Sequence, residues 1–146
     1  MSDRKRALIC LPAGIGEVIM STPAMRTFYE QGYILHMMVR GSVITSHLLD
    51  DCPYVEQLIQ TKTDCTKAAW ETVHLPKIRS IEAHYDRVEI SQLEGPQKAR
   101  PIQIALELGV KPENYNLEVW INDEAKAEAE AFVAQRIPQG LSLIHI

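Results

Sequence analysis

Residues 6–17 read Arg6-Ala7-Leu8-Ile9-Cys10-Leu11-Pro12-Ala13-Gly14-Ile15-Gly16-Glu17, and they decide the fold. A short apolar run, Ala7–Leu11, feeds a glycine turn. The turn feeds a helix-like segment from Val18 to Glu30, and a second apolar run spans Tyr33 to Val39. Strand, tight loop, helix, strand is the opening unit of a parallel α/β sheet. In such sheets the loop after the first strand lies at the crevice where ligands bind. Glu17 therefore brings a carboxylate to that crevice. The two glycines are expected to supply positive φ and a close backbone approach. The helix behind them is expected to offer free N–H groups and partial positive charge to a ligand.

The alternation continues outward. Strands are expected at Ala7–Leu11, Ile34–Val39, Val55–Gln60, Arg87–Ser91 and Leu117–Ile121. Helices are expected at Glu17–Gln31, Ile44–Leu49, Pro101–Leu108 and Asp123–Arg136, with Gly32 and Gly109 as stops. Pro23 should kink or restart the first helix, with Thr22 as its cap. Thr66–Val73 and Lys77–His84 read as two helical pieces separated by Pro76. Val18, Ile19, Met25 and Phe28 share a helical spacing that faces the core. Trp120 is expected to pack against the last helix. Arg26 reads as a surface residue or a partner of Glu30.

The chain has 146 residues, 46% apolar and 23% charged, with a net charge of −4. That is one ordinary globular domain, large enough to fold without a metal or disulfide staple. Residues 1–137 form this domain. The apolar end, Leu141–Ile146 within 138–146, reads as the cut-off start of a second domain or as foreign sequence, with a genuine last edge strand as the alternative. Mixed charges exclude a nucleic-acid stripe. Cys10, Cys52 and Cys65 form no Cys-x-x-Cys pair, and no signal peptide precedes the first strand, so free thiols and a cytoplasmic location are expected. No run approaches the ~20 apolar residues of a membrane span. The five histidines share no zinc-ligand spacing. His36 reads as a satisfied core or edge histidine.

The glycine loop alone leaves its chemistry open. It lacks the lysine of a Walker loop, and Ile19 stands where a dinucleotide fingerprint has its third glycine. Arg40, closing the second strand, keeps an NADP site as an alternative, because an arginine there can meet a 2′-phosphate. A non-catalytic α/β binding domain is the other alternative. Glu17 itself has a plain structural use, since an acid in a first helical turn stabilises the helix.

The run Gly14-Ile15-Gly16-Glu17-Val18-Ile19-Met20-Ser21-Thr22-Pro23-Ala24-Met25-Arg26 resembles the N-terminal signature of glycosyltransferase family 9, the lipopolysaccharide heptosyltransferases. That signature reads approximately Gly-Asp-apolar-apolar-x-Thr-Pro-Ala-Leu-Arg. Ile34–Arg40 with Gly41-Ser42, the segment Cys52-Pro53-Tyr54-Val55-Glu56-Gln57-Leu58-Ile59, and Tyr85-Asp86-Arg87-Val88 follow in the family's order. Glu17 stands where the family has Asp, and Cys52 where it has Asn.

The resemblance implies a Rossmann-like parallel sheet flanked by helices, as the N-terminal, acceptor-side half of a two-domain GT-B architecture. It implies a metal-independent, inverting transfer of a sugar, typically heptose from ADP-heptose, to a lipopolysaccharide-core acceptor. No cofactor is implied, and the nucleotide sugar would be held mainly by a second domain, so this piece alone would be inactive. Glu17 takes the role of catalytic base. Gly14, Ile15, Gly16, Arg40 and Ser42 would line the substrate side. The acceptor is a glycolipid, so peripheral contact with the inner face of the plasma membrane is implied.

Overall fold

The computed structural model describes residues 4–61, 66–92 and 100–136. The expected chain end at 138–146 and Cys65 lie outside them. Four strands, β1 (Arg6–Cys10), β2 (Ile34–Arg40), β3 (Val55–Thr61) and β4 (Arg87–Ile90), form one sheet in the order β3-β2-β1-β4. Every pairing is parallel, with Cys10 level with Met38 on one side and Ile90 on the other. β1 is interior and apolar, as a strand covered on both faces must be.

Alternation along β1 sorts the core into two layers. Ala7, Ile9 and Leu11 join Leu35, Met37 and Val39 of β2 under Val18, Met25, Phe28 and Ile104. Leu8, Cys10 and Met38 face the other way, against Trp70 and Ile78. The helices that supply these side chains are α1 (Ile15–Met20), α2 (Thr22–Glu30), α3 (Gly41–Thr45), α4 (Lys67–Ala69), α5 (Leu75–Ile81) and α6 (Arg100–Glu107). The result is the expected α/β sandwich.

The first helix is two helices. Ser21 Oγ donates to the Val18 carbonyl at 2.7 Å and Thr22 Oγ1 to the Ile19 carbonyl at 2.9 Å. These hydroxyls take carbonyls that an unbroken helix would use, and Pro23 offers no N–H to replace them. The chain breaks at Ser21 and restarts with Pro23 in the first turn of α2. Gly32 (φ 83°) and Gly109 (φ 63°) end their helices in the left-handed region, as expected.

Three other expectations shift. α3 begins at Gly41, directly after β2, rather than at Ile44. Pro76 does not separate two helices. A π turn (Trp70–His74), closed by the Leu75 N–H on the Trp70 carbonyl, places Pro76 in the first turn of α5, where a missing N–H is no loss. Leu117–Ile121 joins no ladder among the described residues. It keeps an extended alternation, with Leu117, Val119 and Ile121 exposed and Glu118 and Trp120 turned inward.

That segment crosses α2 as a strap, and Glu118 is its latch. The Glu118 N–H donates to Thr22 Oγ1 at 3.0 Å, its carboxylate accepts from Tyr54 Oη at 2.8 Å, and it forms an ion pair with Arg26. Arg26 also reaches Asn114 Oδ1 at 2.7 Å. Arg26 is thus a tertiary contact and not a partner of Glu30. Trp120 stacks edge-on against Tyr54, with centroids 5.5 Å apart, and not against the last helix. α7 (Asp123–Arg136) is capped by Asn122 Oδ1, which accepts the Ala125 N–H at 2.8 Å, and its described side chains are exposed.

Candidate functional site at the carboxyl edge of the sheet

β1 hands over to the loop through main-chain bonds. The Leu11 N–H reaches the Met38 carbonyl at 3.0 Å, extending the ladder one step past β1. The Ala13 N–H then closes on the Leu11 carbonyl at 2.8 Å. This is a three-residue turn centred on Pro12, whose ring-fixed φ suits it.

The bend is therefore made by proline, and the expected positive φ at the loop glycines is not found. Gly14 is extended (φ −76°, ψ 175°) as the cap of α1, and Gly16 lies inside that helix. The two glycines matter by what they leave open. A Cβ on Gly14 would sit 3.1 Å from Glu17 Oε2, so the carboxylate folds back over its own loop. A Cβ on Gly16 would meet nothing within 4 Å. Ile15 is exposed beside it. α1 has only six residues, so its dipole adds little.

Glu17 is half-buried in the first turn of α1, and among the described residues no hydrogen bond or ion pair occupies its carboxylate. A carboxylate held near a main-chain turn, with its lone pairs unspent, is equipped to accept a proton from a hydroxyl.

Arg40 ends β2 and caps α3, and Ser42 is exposed in the first turn of α3. β1 and β2 are adjacent and parallel, so Glu17, Arg40 and Ser42 all rise from the same edge of the sheet. Gly41 lies so near β3 that a Cβ would sit 2.7 Å from Gln60 Nε2. On the β4 side, the Ser91 N–H bonds the Cys10 carbonyl at 3.0 Å, and Ser91 Oγ donates to Glu107 Oε2 at 2.6 Å. Gln103 Nε2 supports the other oxygen of Glu107 at 2.9 Å. This second carboxylate is spent on structure and was not singled out by any sequence pattern.

Other candidates resolve as packing. His36 is buried in β2, with Nδ1 2.9 Å from Tyr85 Oη and Nε2 3.1 Å from Glu56, which satisfies both ring nitrogens. Burial pushes the Tyr85 phenol up, Cys10 adds a little to the rise, and Arg6 opposes it. Burial also pushes the Cys10 thiol up to about 12 and raises Cys52. Both stay thiols at neutral pH and are free. Among the described residues no cluster of His, Cys, Asp or Glu is placed to hold a metal, and no helix is long and apolar enough to cross a membrane.

No protein-family model matches the chain, and no curated protein matches it. Solved structures do. E. coli ADP-heptose lipopolysaccharide heptosyltransferase II aligns over 72% of this chain and 28% of its own, at 20% identity and a TM-score of 0.44, too loose to support an inference. A glycosyl transferase family 9 protein from Veillonella parvula DSM 2008 aligns over 99% of this chain at 17% identity and a TM-score of 0.62. The chain spans about half (52%) of that protein's length, and its fold is the fold of that part of a family 9 glycosyltransferase.

Proposed function

We propose that this chain is the acceptor-side half of a metal-independent, inverting glycosyltransferase that moves a sugar, heptose from ADP-heptose, to a lipopolysaccharide-core acceptor. The observation that carries the reading is Glu17, a carboxylate without a partner among the described residues, presented after β1 at the carboxyl edge of a family 9-type fold. In this reaction an acceptor hydroxyl attacks the anomeric carbon from the face opposite the nucleotide. The new C–O bond forms as the bond to the diphosphate breaks. Glu17 takes the hydroxyl proton, which contributes about 10²–10⁴-fold. Gly14, Ile15 and Gly16 leave the acceptor room to approach that carboxylate, and Arg40 and Ser42 contact its phosphates or hydroxyls. A donor-side half supplies the groups that stabilise the leaving diphosphate. The site works in the cytoplasm, against the inner membrane face where such a glycolipid is anchored.

The test is transfer of heptose from ADP-heptose to heptose-free lipopolysaccharide. The 146-residue chain alone gives no product and binds the acceptor. A protein in which a donor-side half follows this chain gives product, and Glu17→Gln lowers its kcat by about a hundredfold or more with acceptor binding retained. Near-normal turnover of that variant removes Glu17 from the reaction. Saturable NADP binding by the chain would favour a dinucleotide site at Arg40 instead.

A further inference from the structure

We propose that the cavity at the carboxyl end of β3 is a binding subsite for a compact oxyanion, a phosphate or carboxylate carried on a small apolar body. The cavity has a volume of about 380 Å³ and is lined by Gln60, Thr61, Val73 and Lys77. Its charge comes from Lys77. The ammonium donates to the main-chain carbonyl of Gln60, which is neutral, and no carboxylate among the described residues pairs with it. Glu71, in the adjoining π turn, is exposed and pairs with none of these groups.

A second cation lies alongside. Arg40 is the register partner of Thr61 across β2 and β3, and it too forms no ion pair among the described residues.

The wall behind Thr61 is buried. Thr61 is buried, and its Oγ1 lies 3.0 Å from Nδ1 of His74, which is fully buried. Val73 is 36% exposed and supplies an apolar surface. Val73 and His74 belong to the π turn, a departure from helical geometry that recurs at ligand sites. The same turn carries Trp70, which packs into the core against Leu8, Cys10 and Met38 and anchors the turn on the sheet. An ammonium beside an apolar wall suits an oxyanion on a ring or chain, because charge-assisted hydrogen bonds are the strong ones. The inference does not depend on the reaction at Glu17, and no sugar nucleotide enters its test.

The test titrates the ¹⁵N-labelled chain with phenyl phosphate, benzoate and benzyl alcohol at constant ionic strength. Phenyl phosphate, benzoate or both should bind saturably, shifting the Gln60, Thr61, Val73 and Lys77 resonances, with benzyl alcohol at least about tenfold weaker. The stronger of the two anions identifies the chemistry. Lys77→Met should weaken anion binding by about tenfold or more, and Lys77→Arg should retain it. Val73→Glu, at a site exposed enough to tolerate the change, should repel the anions if Lys77→Met fails to fold. Equal binding of the alcohol, unchanged anion affinity in the folded variants, or no saturable shift at these residues overturns the proposal.

Discussion

Removing the Glu118 side chain should loosen the strap without unfolding the sheet. In Glu118→Ala the carboxylate loses its ion pair with Arg26 and its hydrogen bond from Tyr54, while the Glu118 N–H keeps Thr22 Oγ1. The pair is well covered, with side chains 16% and 26% exposed, so solvent screens it only in part. Hydrogen bonds to a charged group contribute about 1.5–3 kcal/mol each. Arg26 retains Asn114 after the change, which offsets part of the loss. A net cost of about 2–3 kcal/mol follows. At about 4 °C per kcal/mol for a chain of this size, Tm should fall by roughly 8–12 °C. A double-mutant cycle with Arg26→Ala should return a coupling of about 1–2 kcal/mol, since residues in direct contact are not additive. Trp120 emission should shift toward the exposed value as its stacking on Tyr54 loosens. The Tyr54 phenol, pushed up first by burial and then by the Glu118 carboxylate, should titrate at lower pH. An Ala variant within about 0.5 kcal/mol of the parent, or an additive cycle, refutes the latch.

The loop glycines should separate stability from binding. Gly16→Ala meets nothing within 4 Å and sits in a helix, so it should stabilise the chain by about 0.5–1 kcal/mol while weakening acceptor binding if that space receives a ligand; calorimetry and glycolipid binding check the two together. Gly14→Ala should leave Tm nearly unchanged and displace the Glu17 carboxylate, visible as a shift of its carboxyl ¹³C resonance. Cys10 should resist alkylation by iodoacetamide in the native chain at pH 8, with site occupancy read by mass spectrometry, because burial keeps it protonated. Its folded value, about 12, exceeds the ordinary 9.0. The unfolded chain therefore releases this proton first, and stability is intact below pH 9 and falls as pH rises toward 12, by up to about 4 kcal/mol. Cys10→Ala should flatten that alkaline decline in urea titrations.

How far the fold was legible depends on range. β1, β2 and β3 could be read because short apolar runs between turn signals are local, and Gly32 and Gly109 could be read because only their φ explains them. The strap could not. Its alternation of apolar and polar residues is that of a strand, yet what decides between a ladder and a strap is Glu118 meeting Thr22, Arg26 and Tyr54, 96, 92 and 64 residues away. The π turn was hidden for a related reason: proline at 76 announces a break, and only the bond from Leu75 to Trp70 shows that the break is absorbed upstream. At the site, the position of Glu17 was legible and the reason for its loop was not. Pro12 makes the bend, and the glycines keep space open.

Thr22, Arg26 and Tyr54, three residues that make the chain look like a sugar transferase, meet at Glu118 rather than beside Glu17. They are joinery. A protein without turnover would still need these contacts to hold the strap, so their presence speaks for the fold and is silent about activity. Active and inactive proteins built on this frame would be told apart at the bend after β1, where the acid pairs with no other side chain among the described residues and gives the six-residue helix behind it little support.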